Sequence, residues 1–198
     1  MDLYASKGQI NARLRPLVER LAGAGVSADA LTLAAVPVAA VGAACLLLSP
    51  SMPWLLSIVP VVAAVRLVLN LFDGQLARMT DRTHPRGELY NEVGDRAADS
   101  LLLAPVALLP GALPEIVLVG VLLSVLASFI GLAARAAGGQ RIYRGVLSKP
   151  GRMVLLSVCA VGALVIGPGA WWAFGPLLVV GASLTIVERL YVALRSLP

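Results

Sequence analysis

Six long apolar runs, separated by short segments that contain proline or basic residues, dominate the pattern of this chain. A helix that crosses a membrane needs ~20 mostly apolar residues, and most of these runs approach that length. The runs are continuous rather than alternating, which argues against a transmembrane β-barrel. The pattern therefore predicts an all-α integral membrane protein with six transmembrane helices, at residues 30–48, 54–77, 87–109, 116–134, 153–166 and 171–187.

A more polar segment precedes the first apolar run. Ser27 and Asp29, at its end, are candidates for capping the first transmembrane helix. We divide the chain into an amphipathic juxtamembrane segment, residues 1–28, and a transmembrane domain, residues 29–198. The apolar residues of the first segment recur at helical spacing between arginines, as in a helix that lies on a membrane surface; they are Leu14, Leu17, Val18 and Leu21.

The composition agrees with a membrane location. Hydrophobic residues make up 59% of the 198 residues and charged residues only 14%, whereas a soluble domain is about 25% charged. This excludes a soluble enzyme. The net charge is +5, but there is no basic stripe with interleaved aromatic residues, so no nucleic-acid partner is predicted. Arginine is far more frequent than lysine. Alanine is also abundant, and both features are typical of a GC-rich bacterial genome.

Lysine and arginine are confined to alternate loops. Loops 78–86 and 135–152 are basic, whereas loops 49–53, 110–115 and 167–170 contain no lysine or arginine. Because basic loops stay on the cytoplasmic side, both termini are predicted to be cytoplasmic, in the inner membrane of a bacterium. An aromatic belt is predicted at the opposite membrane face, formed by Trp54, Trp171 and Trp172.

Acidic residues gather around the second loop between spans. Those in the third span are separated by four, three and four positions and so share one helix face, with Asn91 beside them; they are Glu88, Glu92, Asp95 and Asp99. Asn70 and Asp73 share a face of the second span. The short loop 78–86 predicts that these two spans are antiparallel neighbours, so that their polar side chains converge in one pocket at the cytoplasmic face.

Such a cluster needs compensation, because an ionised group inside a span costs at least ~2.5–3.5 kcal/mol. A divalent cation would relieve the repulsion between the carboxylates, and oxygen ligands without His or Cys favour Mg²⁺, Mn²⁺ or Ca²⁺. The alternative is neutralisation of the acids by arginine side chains. The candidates for that role are Arg66, Arg78, Arg82, Arg86 and Arg96.

The residues from 70 to 95 resemble the signature of the CDP-alcohol phosphotransferases, D-x-x-D-G-x-x-A-R-x(8)-G-x-x-x-D-x-x-x-D. Six of the eight fixed positions match, at the correct spacing. Residues 25–33 and 148–153 also resemble the starts of the family's first and fifth spans. The chain is identified on this basis as a divergent member of that family.

The resemblance implies transfer of a phosphoalcohol group from a CDP-linked donor, such as CDP-diacylglycerol, to a small alcohol or phospho-alcohol acceptor, with release of CMP. It also implies Mg²⁺ or Mn²⁺ at the motif carboxylates and a homodimer. Asp95 matches the base that deprotonates the acceptor hydroxyl. The positions that match the CDP pocket are Asp73, Gly74, Ala77, Arg78 and Gly87.

Two motif aspartates are replaced by Asn70 and Asn91, which removes two negative charges from the site. One hypothesis is that Glu92 and Asp99, on the same face, supply the missing charge. The predicted metal ligands are then Asp73, Asp95, Asn70, Asn91, Glu92 and Asp99. The alternative is a non-catalytic protein that binds a CDP-lipid or nucleotide. A transporter is the weaker third class, since no internal repeat is present.

A second polar site is predicted at the cytoplasmic ends of the fourth and fifth spans. Its basic residues could bind the phosphate of the acceptor; they are Arg135, Arg144, Lys149 and Arg152. The alternative is that they contact anionic headgroups of membrane lipids. Arg66, inside the second span, is predicted to snorkel or to pair with an acid, and His84 to be a solvated loop residue.

Overall fold

The computed structural model describes residues 14–80 and 85–197, and within them all regular structure is helical. A short helix, α1, spans residues 14–23. Six long helices follow: α2 (Ala28–Leu48), α3 (Ile58–Met79), α4 (Pro85–Leu103), α5 (Pro114–Ala136), α6 (Lys149–Ile166) and α7 (Phe174–Ser196). Short 3-10 turns precede α3 and α7 and follow α4, at Pro53–Ser57, Pro168–Ala173 and Ala104–Leu108.

The long helices correspond one to one with the predicted spans. Five of them are long and apolar enough to cross a membrane, counting the 3-10 turns that lead into α3 and α7, and α4 is the exception because of its charged residues. Helix boundaries differ where proline is involved. The α-helical part of the third span ends at Leu103, because Pro105 removes a backbone donor and a 3-10 turn takes over. By contrast, α6 begins at Lys149, before the predicted residue 153, because a helix tolerates Pro150 in its first turn.

Helix α2 packs against both α3 and α4 and is the centre of this half of the bundle. Gly42 makes that close approach possible, since a Cβ there would lie 2.5 Å from Leu102 Cδ2 and 2.9 Å from Val62 Cγ1. In the described residues α3 and α4 do not pack closely against each other. Their side chains nevertheless contact each other directly, since Asn70 donates to Asp95 and Arg66 is 2.6 Å from Asp99. The predicted convergence of the two helices is therefore found, through long polar side chains rather than through close backbone packing.

The rest of the bundle is formed by α5 against α7 and by α6 against α3. Trp171 is 2% exposed and meets Phe174 edge-on, with ring centroids 6.1 Å apart. It therefore belongs to the hydrophobic core and not to the predicted aromatic belt. Trp54 and Trp172 are exposed, as that prediction requires.

The amphipathic segment is helical over its described part, as predicted. Val18 is fully buried and packs with Phe72 and Leu76 of α3. Its apolar face is thus covered by protein as well as being available to lipid through the exposed Leu17. Ser27 caps α2 as predicted, because its Oγ accepts a hydrogen bond from Ala30 N at 3.1 Å. The predictions for Arg82 and His84 lie outside the described residues.

Candidate functional site

Basic residues in the first turn of α6 face acidic residues on α4. Lys149 and Arg152 are three positions apart and lie on one side of α6, while Asp95 and Asp99 are four apart on one side of α4. Each of these acidic residues contacts one of the two basic residues. On the other side of each carboxylate lies a polar side chain of α3.

Asp95 lies between Lys149 of α6 and Asn70 of α3. Lys149 Nζ is 2.5 Å from Asp95 Oδ2. Asn70 Nδ2 donates to the same carboxylate, at 3.2 Å from Oδ1 and 3.3 Å from Oδ2. Both side chains of the ion pair are 17% exposed, so water screens it weakly. The structure thus brings Asn70 and Asp95 together, as the sequence predicted.

Asp99, one helical turn further along α4, lies between two arginines. Arg66 Nη2 is 2.6 Å from its Oδ1, and Arg152 Nη2 is 2.7 Å from its Oδ2. Arg66 Nη2 also donates to the carbonyl oxygen of Asp95 at 3.0 Å. Arg66 is 1% exposed and Arg152 2%. Arg66 therefore pairs with an acid, as one of the two alternatives predicted.

The other two acids of this α4 face also have basic partners. Glu92 Oε2 is 2.5 Å from Arg96 Nη1, and its Oε1 contacts Arg141 Nη2 in the loop after α5. Glu88 contacts Arg135 near the end of α5, and this pair is exposed to solvent. We use the term polar cluster for the buried and half-buried set, which consists of Asp73, Glu92, Asp95 and Asp99 with Arg66, Arg96, Arg141, Lys149 and Arg152.

Asp73 is held by α2 rather than by a basic side chain. Thr32 Oγ1 donates to Asp73 Oδ2 at 2.9 Å, and both residues are buried. Asp73 Oδ1 is buried and has no hydrogen-bond partner among the described residues. Helix α4 passes this part of α2 at Gly94, where a Cβ would be in ordinary van der Waals contact with Thr32 Cγ2, at 3.6 Å. Asp73 therefore contributes to the polar cluster one carboxylate oxygen that has no hydrogen-bond partner among the described residues.

The predicted CDP-binding residues continue from Asp73 toward the end of α3. The Arg78 side chain folds back over Gly74, since a Cβ at Gly74 would lie 3.4 Å from Arg78 Nη1. Arg78 is exposed and Ala77 half-buried. Gly87 lies in the first turns of α4, and Asn91 is half-buried one turn later. Gly74 and Arg78 thus form a small exposed surface next to Asp73.

The basic residues predicted to bind an acceptor phosphate divide into two groups. Lys149 and Arg152 belong to the polar cluster, and Arg135 lies at its rim against Glu88. Arg144 instead contacts Glu188 of α7, with Nε 3.4 Å from Oε1, and does not contact the acids of α4. Three of the four predicted residues therefore lie at the α4 acids and the fourth faces another helix.

The loop between α5 and α6 is anchored to α7 by Arg189. This buried guanidinium donates to three backbone carbonyls, those of Ala127 at 2.6 Å, Tyr143 at 2.9 Å and Arg144 at 2.9 Å. Thr185 accepts a hydrogen bond from Leu147 N at 2.8 Å. Because the loop carries Arg141 and leads into Lys149, these anchors help to position the basic side of the cluster.

Arg189→Gln is expected to release this loop. The change removes most of three charge-assisted hydrogen bonds to carbonyls, each worth about 1.5–3 kcal/mol. Amide hydrogen exchange over residues 138–147 should then accelerate by about tenfold or more. Arg195→Gln is the matched control, because Arg195 is exposed and stacks over Tyr191 at the end of the same helix. Equal exchange in the two variants would refute the anchoring role.

The described side chains do not fit the divalent-metal site that the resemblance implies. Among residues 14–80 and 85–197, no three His, Cys, Asp or Glu side chains are arranged to hold a metal ion. Glu92 and Asp99, expected to replace the lost charge, each give both oxygens to basic side chains. Asn70 turns its amide donor, not its carbonyl, toward Asp95. The contacts favour the alternative in which basic residues neutralise the acids.

Some residues of the site could not be recognised from the sequence. Thr32 lies in the segment 25–33 that resembles the start of the family's first span, but nothing in the sequence indicates that its hydroxyl meets Asp73, because a threonine in an apolar run usually bonds within its own helix. Arg189 looked like one more basic residue near the cytoplasmic end of the last span. Only its burial, which the sequence does not reveal, distinguishes it from Arg195.

Comparison with known proteins places the chain in a family. No family model matches it. It is 31% identical over 172 residues to the inner membrane protein YnbA of Escherichia coli (strain K12), an alignment that covers 87% of this chain and 85% of YnbA. The chain belongs to the YnbA family.

Solved structures show which fold this YnbA relative has. It superposes on Mycobacterium tuberculosis phosphatidylinositol phosphate synthase (PgsA1) in apo form with a TM-score of 0.68 at 21% identity, covering 91% of this chain and 96% of that one. The same synthase with CDP-DAG bound gives a TM-score of 0.66, with 91% and 93% covered. Its complex with manganese and citrate also gives 0.66, with 91% and 88% covered. The YnbA relative therefore shares the fold of a phosphatidylinositol phosphate synthase.

Proposed function

We propose that the protein transfers a phosphatidyl or similar phosphoalcohol group from a CDP-linked lipid, such as CDP-diacylglycerol, to an alcohol acceptor in phospholipid synthesis. One observation carries the proposal. The motif residues Asp73 and Asp95 come together with the basic first turn of α6 at one end of the bundle. The chain shares its fold with a phosphatidylinositol phosphate synthase whose structure has been solved with CDP-DAG bound.

The proposed reaction breaks a phosphoanhydride bond of the donor and forms a phosphate ester with the acceptor. The acceptor oxygen attacks the lipid-bearing phosphorus, a new P–O bond forms, and the P–O bond to the CMP phosphate breaks. The proton of the acceptor hydroxyl passes to Asp95, and CMP leaves as an anion. Lys149 and the nearby guanidinium groups stabilise the negative charge that develops on the phosphate oxygens. A phosphorylated acceptor would place its phosphate near Lys149, Arg152 and Arg135.

Mg²⁺ or Mn²⁺ is the cofactor that the resemblance implies, and manganese is present in one structure of the synthase with this fold. Its usual contribution would be to neutralise phosphate charge. In this chain Asp73 retains a free carboxylate oxygen, but Asp95 is already bound to an ammonium group. We therefore derive no step of the reaction through a metal ion.

The proposed membrane placement follows from the two ends of the bundle. The polar cluster lies at the end that carries the basic loops, and the loops without basic residues meet at the other end, where a Cβ at Gly111 would lie 2.4 Å from Pro168 O. We propose that α4 is the sixth span, with its polar face turned into the bundle, and that the site opens to the cytoplasm from the inner membrane. The division at residue 28 and the homodimer are part of this proposal.

Release of CMP tests the enzymatic function. The purified protein is incubated with CDP-diacylglycerol and a panel of alcohols that includes glycerol phosphate, inositol phosphate and serine, with and without Mg²⁺ or Mn²⁺. We expect CMP together with a new phospholipid for at least one acceptor. A preparation of Asp73→Asn serves as the blank, because Asp73 lies in the motif and has the free oxygen.

A non-catalytic CDP-lipid binding protein is the second candidate. The observation that favours it is the hydrogen bond from Asn70 to Asp95, which occupies the carboxylate expected to act as base. This candidate predicts that CDP-diacylglycerol binds but that no acceptor in the panel releases CMP. The same incubation, followed by recovery of intact CDP-lipid with the protein, distinguishes the two functions.

A further inference from the structure

The ammonium group of Lys149 occupies the position at Asp95 where a cation is expected. Its Nζ lies 2.5 Å from Asp95 Oδ2, and the side chain is 17% exposed. Helix α6 starts at Lys149, so the backbone of this residue is fixed by the first turn. The contact is thus a feature of how α6 packs on α3 and turns its first turn toward the acids of α4, not of a freely moving surface side chain.

Asn70 presents a hydrogen-bond donor to the carboxylate of Asp95. Its Nδ2 donates to both carboxylate oxygens, at 3.2 and 3.3 Å. An aspartate at this position would place a second negative charge against Asp95, and the pair would then require a cation between them. With asparagine that requirement disappears. Asn70 and Lys149 together satisfy Asp95 in the way that a metal ion and its ligands would otherwise do.

The charge balance of the polar cluster also opposes a divalent cation. The cluster contains four carboxylates and five basic side chains, all joined by short contacts except Asp73. A divalent ion would add to an excess of positive charge in a weakly screening environment, where like charges repel strongly. An anionic ligand would instead be attracted.

The unsatisfied atoms of the cluster agree with this conclusion. Among the described residues, buried nitrogen atoms without a hydrogen-bond or ion-pair partner are Arg66 Nε, Arg66 Nη1 and Arg152 Nε. Among the same residues, the one buried acceptor atom without a hydrogen-bond or ion-pair partner is Asp73 Oδ1. Donors therefore outnumber acceptors, and a ligand rich in acceptor oxygens, such as a diphosphate, is what the cluster lacks.

We propose that Lys149 serves as a built-in cation in place of a divalent metal ion at Asp95, so that the diphosphate of a CDP-containing ligand binds here without Mg²⁺ or Mn²⁺. The proposal rests on the proposed function for the class of ligand. It goes further in assigning to a protein side chain the charge that the resemblance assigns to a metal.

The first test measures binding of CDP to the full-length protein in detergent by calorimetry, in EDTA and then in excess Mg²⁺ or Mn²⁺. We expect the Kd in EDTA to lie within about threefold of the Kd with metal, which is a small free-energy difference. Binding that is lost in EDTA and restored by metal would overturn the inference and leave the proposed function intact. Absence of CDP binding under every condition would overturn the proposed function, and the inference with it.

The second test uses variants of Lys149. Lys149→Met removes a charge-assisted contact and should weaken CDP binding in EDTA by about 10–100-fold, whereas Lys149→Arg should retain most of it. Arg195→Met is the matched control for loss of one basic residue, since Arg195 is exposed in the last turn of α7. Equal affinity of Lys149→Met and the control would contradict the proposal.

The third test reintroduces the lost charge. The double variant Asn70→Asp with Lys149→Met places two aspartates opposite each other and removes the ammonium group. Its CDP binding should become dependent on Mn²⁺, and Mn²⁺ titration followed by electron paramagnetic resonance should show a bound ion that the wild-type protein lacks. A wild-type signal that Asp95→Asn abolishes, or EDTA-insensitive binding in the double variant, would refute the replacement of metal by Lys149.

Discussion

Asp95→Asn is expected to abolish most CMP release while leaving the protein folded and able to bind CDP. A positioned general base typically contributes about 10²–10⁴-fold to a rate, so kcat should fall by about that factor. The asparagine keeps the size of the side chain and can still accept a hydrogen bond from Lys149. Binding of CDP through the basic residues should therefore change much less than kcat. Turnover and CDP affinity measured on the same preparation check this result.

Glu115→Gln is the matched control for this experiment. Glu115 is exposed in the first turn of α5, at the opposite end of the bundle from the polar cluster. Its loss removes the same charge without touching the site, and turnover should stay at the wild-type level. Undiminished turnover in Asp95→Asn would show that another group accepts the proton. A parallel loss of kcat and thermal stability would indicate a structural role for Asp95.

The largest loss of stability is expected for Asp99→Asn. This carboxylate is the shared partner of Arg66 and Arg152, and both guanidinium groups are almost completely buried. Removing one partner of a buried ion pair costs about 3–5 kcal/mol, because the remaining charge is left without compensation. The free energy of unfolding in detergent should therefore fall by about that amount. Reversible unfolding in mixed micelles with increasing SDS provides the measurement.

Two comparisons make this prediction specific. Glu19→Gln breaks the exposed ion pair between Arg15 and Glu19 and should cost about 0–1 kcal/mol at most. The double variant Asp99→Leu with Arg66→Met removes two opposite buried charges together, so it should be more stable than Asp99→Asn. If Asp99→Asn changes stability no more than Glu19→Gln does, the buried triad is not what stabilises this end of the bundle.

The polar cluster changes how the two asparagines of the motif are understood. From the motif alone, Asn70 and Asn91 leave a metal site short of charge, which suggested compensation by Glu92 and Asp99. The structure gives both of those side chains two arginine partners each. Asn70 then fits as a donor to a carboxylate that already has a cation. Asn70 would weaken a metal site by removing a negative charge, but it suits a site in which an ammonium group contacts Asp95.

The sequence by itself determined the elements of this protein. Apolar runs of suitable length specify helices through local periodicity, and six runs became six long helices. The spacing of Glu88, Glu92, Asp95 and Asp99 placed them on one face of α4, because 3.6 residues make one turn whatever lies around the helix. Ser27 capped α2 for an equally local reason. These features depend on neighbours within a few positions along the chain.

Only the tertiary structure decided the partners of the acidic residues. Arg152 meets Asp99 across 53 positions of sequence and Arg66 meets it across 33, contacts that depend on how α3 and α6 pack around α4. That packing depends on close approaches such as Gly42 of α2 against Val62 and Leu102. Charge alone cannot distinguish Arg152, which is buried against Asp99, from Arg195, which is exposed. Whether a carboxylate meets a metal ion or an ammonium group is set by which helix brings its side chain alongside.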